Sequence, residues 1–556
     1  MVGLMAAAAM LLAAAPASAA KDSKVTETPI RSEAPDAKQV KESYVSILDP
    51  LPESVGPHPA ACDSIGYLRF RSRRGPASAK RADAVVTLMP GFLGGASSFD
   101  QVARNVVRNA AARKRFVEVW AIDRRANCVE DHTGVDAAAR THDPLIAYGY
   151  YWGGEEVDGH RFEGFKTASE AAFLGKFGLE RTLRDWYTVV TTSLPGQRRR
   201  ERKLICGGHS LGGPLTAAFA SWDFDGDPET DKDAGFRQCA GLVGLDTTLS
   251  LGSGSNPGPA GSAGEPVGTA SPFVDATPLS PETIQVPPIF GVGAFYAPQA
   301  TGLNTALPST PKLDVAQRAL FSRDAAHFAS GVPDIREFNL TNQVVLAGVF
   351  DDNSNPVSIL RSSVGSVTGG PLHDKNFPTP DPTLALPEDT SASYRWQPYD
   401  EVGADGAPIE LNDEGEPYTT RESEVSDLTQ LARTMFQAPA DFTEQYFPTR
   451  LLTEAFTAES GGFEDIRYDG PSEKPGLLIQ AGDSESNGAE PDEGPPLAGD
   501  APPNDMPFSR EIILPGYNHL DVVAAARKQN DGRPEPSSRA LANFTLKVTR
   551  AAQGGR

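Results

Sequence analysis

The sequence predicts an α/β fold, a mainly parallel sheet covered by helices on both faces, with a mixed domain inserted late in the chain. Three observations predict it. Short, almost wholly apolar runs alternate with segments of helical periodicity, as expected of parallel strands buried on both faces. One such run, Leu204 to Gly207, leads through Gly208-His209-Ser210-Leu211-Gly212 into a helix-like segment, Pro214 to Trp222. Finally, the strand and helix alternation stops at Gly252 and resumes at Gly476.

Taken in order, Lys21 to Glu53 is polar and charged and reads as an extended N-terminal segment. Ile65 to Arg71 and Ala84 to Met89 read as strands, the second ending in Pro90-Gly91-Phe92-Leu93-Gly94-Gly95. A helix follows over Ser97 to Arg113, with Phe99, Val102, Val106 and Val107 on one face. Phe116 to Ile122 is the next strand, Gly164 to Leu194 contains helical material, and Ala240 to Leu245 is a strand ending at Asp246. From Gly252 to Glu282 the chain is rich in Gly, Pro and Ser, a connection and not a core element. Beyond it come a strand at Asn342 to Phe350 and helices at Ser426 to Phe436 and Asp441 to Ala458. The sheet pattern returns with Gly476 to Ala481 and Glu511 to Leu514, and a helix closes the chain over Ser537 to Thr549. The expected division is therefore a leader at 1–20, an extension at 21–59, a core at 60–254, a cap insertion at 255–470 and a second core segment at 471–556.

Composition narrows the function. A chain of 556 residues exceeds one compact core and suggests one elaborated domain or two to three units. A net charge of -22 argues against a nucleic-acid partner, which requires a basic face. Ala6 to Ala15 is an apolar, Ala-rich run, and Ala17-Ser18-Ala19 fits a small-x-small cleavage site, so export to the medium, periplasm or cell envelope is expected. No later apolar run reaches the length of a membrane span, so no transmembrane anchor is expected. Cys62, Cys128, Cys206 and Cys239 permit two disulfides. Cys62 and Cys128 flank strands and are the favoured pair, while Cys206 is adequately explained as a small buried hydrophobe.

The chemistry starts at Ser210. A G-x-S-x-G pentapeptide between a strand and a helix is a nucleophile elbow, a tight turn that holds the serine in a strained backbone. A serine hydroxyl needs a base within hydrogen-bond reach. The strand order, the elbow and the late insertion resemble the α/β-hydrolase superfamily, especially its secreted lipase and esterase branches; the resemblance covers about 60–250 and 471–550.

The resemblance implies a base after Ser210, and of His327, His373 and His519 only His519 follows a closing strand. It implies an acid in the loop after the seventh strand, which selects Glu485, with Asp483 beside it. Asp246 is a rival, because Gly244-Leu245-Asp246 is similar to pancreatic-type lipases. It implies oxyanion donors at Leu211, after the nucleophile, and at Phe92, in a turn with Pro90 where the superfamily often has histidine.

No cofactor is required by this chemistry. Asp223, Asp225 and Asp227 open an alternating acidic stretch that would suit a structural calcium ion, although a solvated acidic loop is the stronger expectation. The expected activity is hydrolysis of a small-molecule or lipid ester. The rival expectations are an exocellular peptidase or acyltransferase on the same triad, and a non-catalytic binding protein on a hydrolase scaffold.

Overall fold

The computed structural model describes residues 25–252, 271–378, 380–437, 439–483, 510–530 and 532–554. The expected leader at 1–20, Glu485 and most of the 252–282 connection lie outside them. Nine strands form one sheet: β1 (Val25–Pro29), β2 (Val40–Leu48), β3 (Ser64–Ser72), β4 (Ala84–Met89), β5 (Val117–Asp123), β6 (Leu204–His209), β7 (Gly241–Leu245), β8 (Gly476–Ala481) and β9 (Arg510–Leu514). Their spatial order is β1-β2-β3-β5-β4-β6-β7-β8-β9. The first three pair antiparallel, and β3 pairs antiparallel with β5. From β5 to β9 every pairing is parallel.

Strand alternation builds two cores. Val86 and Leu88 of β4, with Val119 and Ala121 of β5, pack with Val102 and Val106 of α1 (Asp100–Ala112) on one face. Val85, Met89, Trp120 and Ile122 point to the other face, against Leu183 and Trp186 of α2 (Leu179–Ser193) and Leu215 and Phe219 of α3 (Gly212–Ser221). Both faces being buried, the strands carry little polar residue of their own. Thr87 is an exception, and its hydroxyl accepts from the Trp186 indole at 3.0 Å.

The chain leaves the sheet after Leu245 and rejoins it at Gly476, where β8 pairs with β7. The intervening segment has its own core, built around α4 (Val286–Tyr296), α5 (Pro311–Phe321), α6 (Asn342–Phe350) and α7 (Leu428–Met435), with Tyr394 and Trp396. C-terminal to β9, α8 (Pro536–Gly554) packs across α1 on the first face.

Three expectations need correction. Asn342 to Phe350 is helix, not strand: all nine of its residues are buried, so its apolar run has no polar face from which a period could be read. The segment read as an extension contributes β1 and β2 to the sheet. The inward positions of β2 include Glu42 and Ser43 beside Val45 and Ile47, which hides the alternation; buried Glu42 is neutralised by Arg104 of α1. Cys206 is not a free thiol but is bonded to Cys239, alongside the Cys62–Cys128 bond.

Candidate active site

Parallel register brings the carboxyl ends of β4, β6, β7, β8 and β9 to one edge: Met89 lies opposite Gly208, His209 opposite Leu245, Ile479 also opposite Leu245, and Ala481 opposite Leu514. Ser210 is the residue after β6 and has φ 53°, the left-handed region that non-glycine residues avoid at a cost of roughly 1–2 kcal/mol. Its amide donates to Leu245 O at 3.1 Å, and its carbonyl accepts from Gly213 N and Thr247 Oγ1. The flanking glycines are sterically required. A Cβ on Gly208 would stand 2.3 Å from Gly212 O, and one on Gly212 would stand 2.1 Å from Met89 O.

His519 follows β9 and packs on the same edge, 4% exposed. Its Nδ1 donates to Asp246 Oδ2 at 2.5 Å, and Asp246 Oδ1 accepts from Ala481 N at 2.9 Å. Asp246 sits directly after β7 with φ 44°, a second strained residue beside the first. The preferred candidate, Glu485, is outside the described residues. Asp483 turns elsewhere, accepting from Gly516 N at 3.2 Å. The geometry therefore favours the rival, Asp246. A carboxylate at the end of β7 reaches the histidine loop directly across β8, and Gln480 of β8 braces the turn through bonds to Thr247 N and O.

The amides of Leu211 and Phe92 have no acceptor among the described residues, and both residues border the serine. Gly91 must be glycine for this approach, because a Cβ there would lie 2.8 Å from Ser210 Cβ. A residue with no role in the sequence reading holds this turn. Arg124, buried just after β5, donates to the carbonyls of Pro90, Gly91 and Gly94 at 2.7, 2.8 and 2.6 Å, and through Nε to Glu444 at 2.6 Å. With those carbonyls drawn back to the guanidinium, and the Gly94 and Gly95 amides bonded to Gly91 O and Phe442 O, the Phe92 amide is left beside the serine without an acceptor among the described residues. A buried arginine after a strand has no local signature, which is why it was missed. Arg124→Lys keeps the charge but not the planar fork. Turnover is expected to fall about 100-fold through misplaced donors, to be checked by kcat together with the melting temperature.

His209, inside the elbow, is the other residue without an assigned role. Its Nε2 bonds His519 O at 2.9 Å. Burial, reinforced by neighbouring His519, pushes its pKa down to about 3, so the ring is neutral. His327 and His373 face other surroundings, on Pro333 O and Asp374 O.

Behind the His519 loop a group of buried carboxylates ties cap to core. Asn518 donates from Nδ2 to Asp352 at 2.8 Å and from its backbone to Asp521 at 2.7 Å, while Ser362 and Ser363 of the cap donate to Asp521. Burial and mutual repulsion raise Asp352 to about 7 and hold Asp351 and Glu424 well above the carboxylate range. A raised carboxyl stabilises the fold below its unfolded pKa and loses that contribution as pH rises through the folded value. Between pH 7 and 9 these carboxyls are expected to make the melting temperature fall, together with His132, which is buried yet held up at about 10 by Asp441. Lys375, which burial pushes down to about 7, contributes in the opposite direction. Glu424→Gln should shrink the fall, and thermal unfolding at the two pH values checks it.

Above the serine lies a cavity of about 170 Å³, bounded by Phe92, Ser210 and His519 below and by side chains of α4, α5 and α6 above. No Asp, Glu, Lys or Arg among the described residues lines it.

Of the cation candidates, Asp223 and Asp225 converge with Asp233, and Asp227 is not part of the group. Asp223 is also paired with Arg467 at 3.1 Å. This loop stands apart from the serine cavity.

The strand order, the strained serine between β6 and α3 and the histidine beyond β9 decide the architecture. The fold is the α/β-hydrolase fold. No family model and no curated protein matches the chain. Among solved structures, it is similar to epoxide hydrolase VrEH1 from Vigna radiata, at 9% identity and TM-score 0.31, covering 88% of this chain and 95% of that one. The peroxisomal α/β-hydrolase Lpx1 of Saccharomyces cerevisiae aligns at 10% identity and TM-score 0.31, covering 93% and 89%. A soluble variant of monoglyceride lipase from Saccharomyces cerevisiae aligns at 10% identity and TM-score 0.29, covering 88% and 92%. Among the described residues no helix is long and apolar enough to cross a membrane.

Proposed function

We propose that this α/β-hydrolase-fold chain is an exported serine hydrolase that cleaves carboxylic esters through an acyl-enzyme. The observation that carries the reading is the strained Ser210 at the floor of an apolar cavity, with His519 beside it and Asp246 on the far nitrogen of that ring. Ser210 Oγ attacks the ester carbonyl while His519 Nε2 takes its proton, and Asp246 stabilises the imidazolium. The carbonyl oxygen becomes an oxyanion received by the Leu211 and Phe92 amides. Collapse breaks the ester C–O bond, and the imidazolium returns its proton to the leaving alkoxide. Water then repeats the sequence on the acyl-enzyme and frees the acid and Ser210.

Export is supported by the apolar leader pattern ahead of Ala17-Ser18-Ala19 and by the two disulfides, which persist in oxidising compartments. Ester cleavage over amide cleavage is favoured by the uncharged cavity, since peptide backbones need polar partners along their length. The test is fluorophosphonate labelling followed by turnover of p-nitrophenyl acetate, butyrate, octanoate and dodecanoate against peptide p-nitroanilides. Labelling confined to Ser210 with ester turnover supports the reading. An unlabelled Ser210, or peptides turned over faster than every ester, overturns it.

A further inference from the structure

Among the described residues two titratable side chains line the serine cavity, His519 and His209, and the reaction uses only the first. His209 closes β6 and directly precedes Ser210. Alternation along the strand sends it to the same face as Ile205, where Tyr517, Val522 and Val523 pack on either side of His519 in the chain. Its Nε2 meets the main-chain carbonyl of His519 at 2.9 Å, with the two imidazole rings 4.5 Å apart. A carbonyl only accepts, so Nε2 carries the hydrogen and donates it. Burial first, then neighbouring His519, pushes His209 down to about 3, against the smaller upward pull of that carbonyl and of Asp246. The ring is neutral, and Nδ1 is its bare nitrogen.

The base is held at two points. Asp246 takes the far ring nitrogen of His519, and His209 takes its main-chain oxygen. Resting on the serine-hydrolase reading, we propose that His209 is a positioning residue, which fixes the base from the position next to the nucleophile and so sets the gap between Ser210 Oγ and His519 Nε2. Leu245 O already holds the Ser210 amide at the same strand end, so nucleophile and base share one anchorage. An error of about 1 Å in such a gap costs on the order of a hundredfold in rate. Neutrality is the second requirement. His519 becomes an imidazolium in each proton transfer, and a cation one ring away in a buried site would oppose it. A lysine could hold the carbonyl but would bring that charge. His209 acts through His519 and not on the reacting atoms.

The experiment measures kcat and KM for p-nitrophenyl butyrate in full-chain His209→Leu and His209→Gln, per site titrated with fluorophosphonate, alongside melting temperatures. His209→Leu is expected to lose about 30-fold in kcat, with KM changed less than about twofold. His209→Gln presents an uncharged N–H near the place of Nε2 and should stand about tenfold above His209→Leu in kcat. A lowered melting temperature with wild-type kcat per titrated site in His209→Leu would make the contact a structural brace and overturn the proposal. Equal kcat in the two variants would overturn it as well. Should His209→Leu not fold, His209→Asn, too short to reach the carbonyl, takes its place with the same expected loss. Wild type supplies a reading that needs no variant. The acid limb of kcat/KM is expected to fall as a single-proton step, that of His519. A two-proton step would show His209 charging with it and overturn the proposal. If Ser210 takes no fluorophosphonate and no ester turns over, the hydrolase reading itself fails, whereas a labelled, active wild type with unaffected variants sinks only this inference.

Discussion

Replacing Ser210 with alanine is expected to lower kcat for p-nitrophenyl esters by about 10⁶-fold, leaving only what binding and the oxyanion donors provide without a nucleophile. The protein should remain folded, because Ser210 Oγ makes no hydrogen bond among the described residues and the turn is held by backbone bonds to Leu245 and Gly213. A second variant separates chemistry from strain. Ser210→Gly is equally inactive, but glycine occupies φ 53° freely. It is expected to be more stable than Ser210→Ala by about 1 kcal/mol, read as a higher midpoint in denaturant unfolding. Substantial turnover in Ser210→Ala would exclude the serine as the nucleophile, and equal unfolding of the two variants would exclude it as the bearer of the turn's strain.

The elbow was legible in the sequence because each of its requirements is local. A strand, a turn with glycines two residues either side, and a helix lie within one short stretch, and the contacts of Gly208 and Gly212 with backbone carbonyls explain why no larger residue serves there. Strands β4 and β8 were likewise readable to the residue, being apolar on both faces and bounded by breakers. What could not be read depends on tertiary neighbours. β2 places Glu42 in the interior, acceptable only because Arg104 arrives from α1. Arg124 reaches three carbonyls that precede it by some thirty residues, and nothing near it in the chain announces this. The choice among Glu485, Asp483 and Asp246 stayed open in the sequence for a related reason. The loop after β8 is where the resembled superfamily usually carries its acid, whereas the carboxylate that meets His519 is set by how the turn after Leu245 bends, and Asp246's φ of 44° is invisible in a sequence.

Asp246→Asn is accordingly expected to lower kcat by about 10⁴-fold with little change in KM, the size of loss seen when the carboxylate of a Ser-His-Asp triad becomes an amide. The physical reason is the proton on the ring. In the wild-type arrangement the carboxylate can only accept, so Nδ1 carries the hydrogen and Nε2 is the base. An asparagine at this position can present its NH₂ to Nδ1, which then accepts, and the proton moves to Nε2, where it blocks abstraction from Ser210. The imidazolium formed during attack also loses its counter-charge. High pH should rescue none of this, because the neutral ring is already the wrong tautomer. Asp483→Asn is expected to change kcat less than about threefold, its carboxylate being spent on the Gly516 amide. Glu485→Gln supplies the decisive contrast: a loss as large as that of Asp246→Asn would mean that both carboxylates serve the histidine at different stages. A larger one, with Asp246→Asn near wild type, would return the acid to the loop after β8 and leave the Asp246 contact a structural brace.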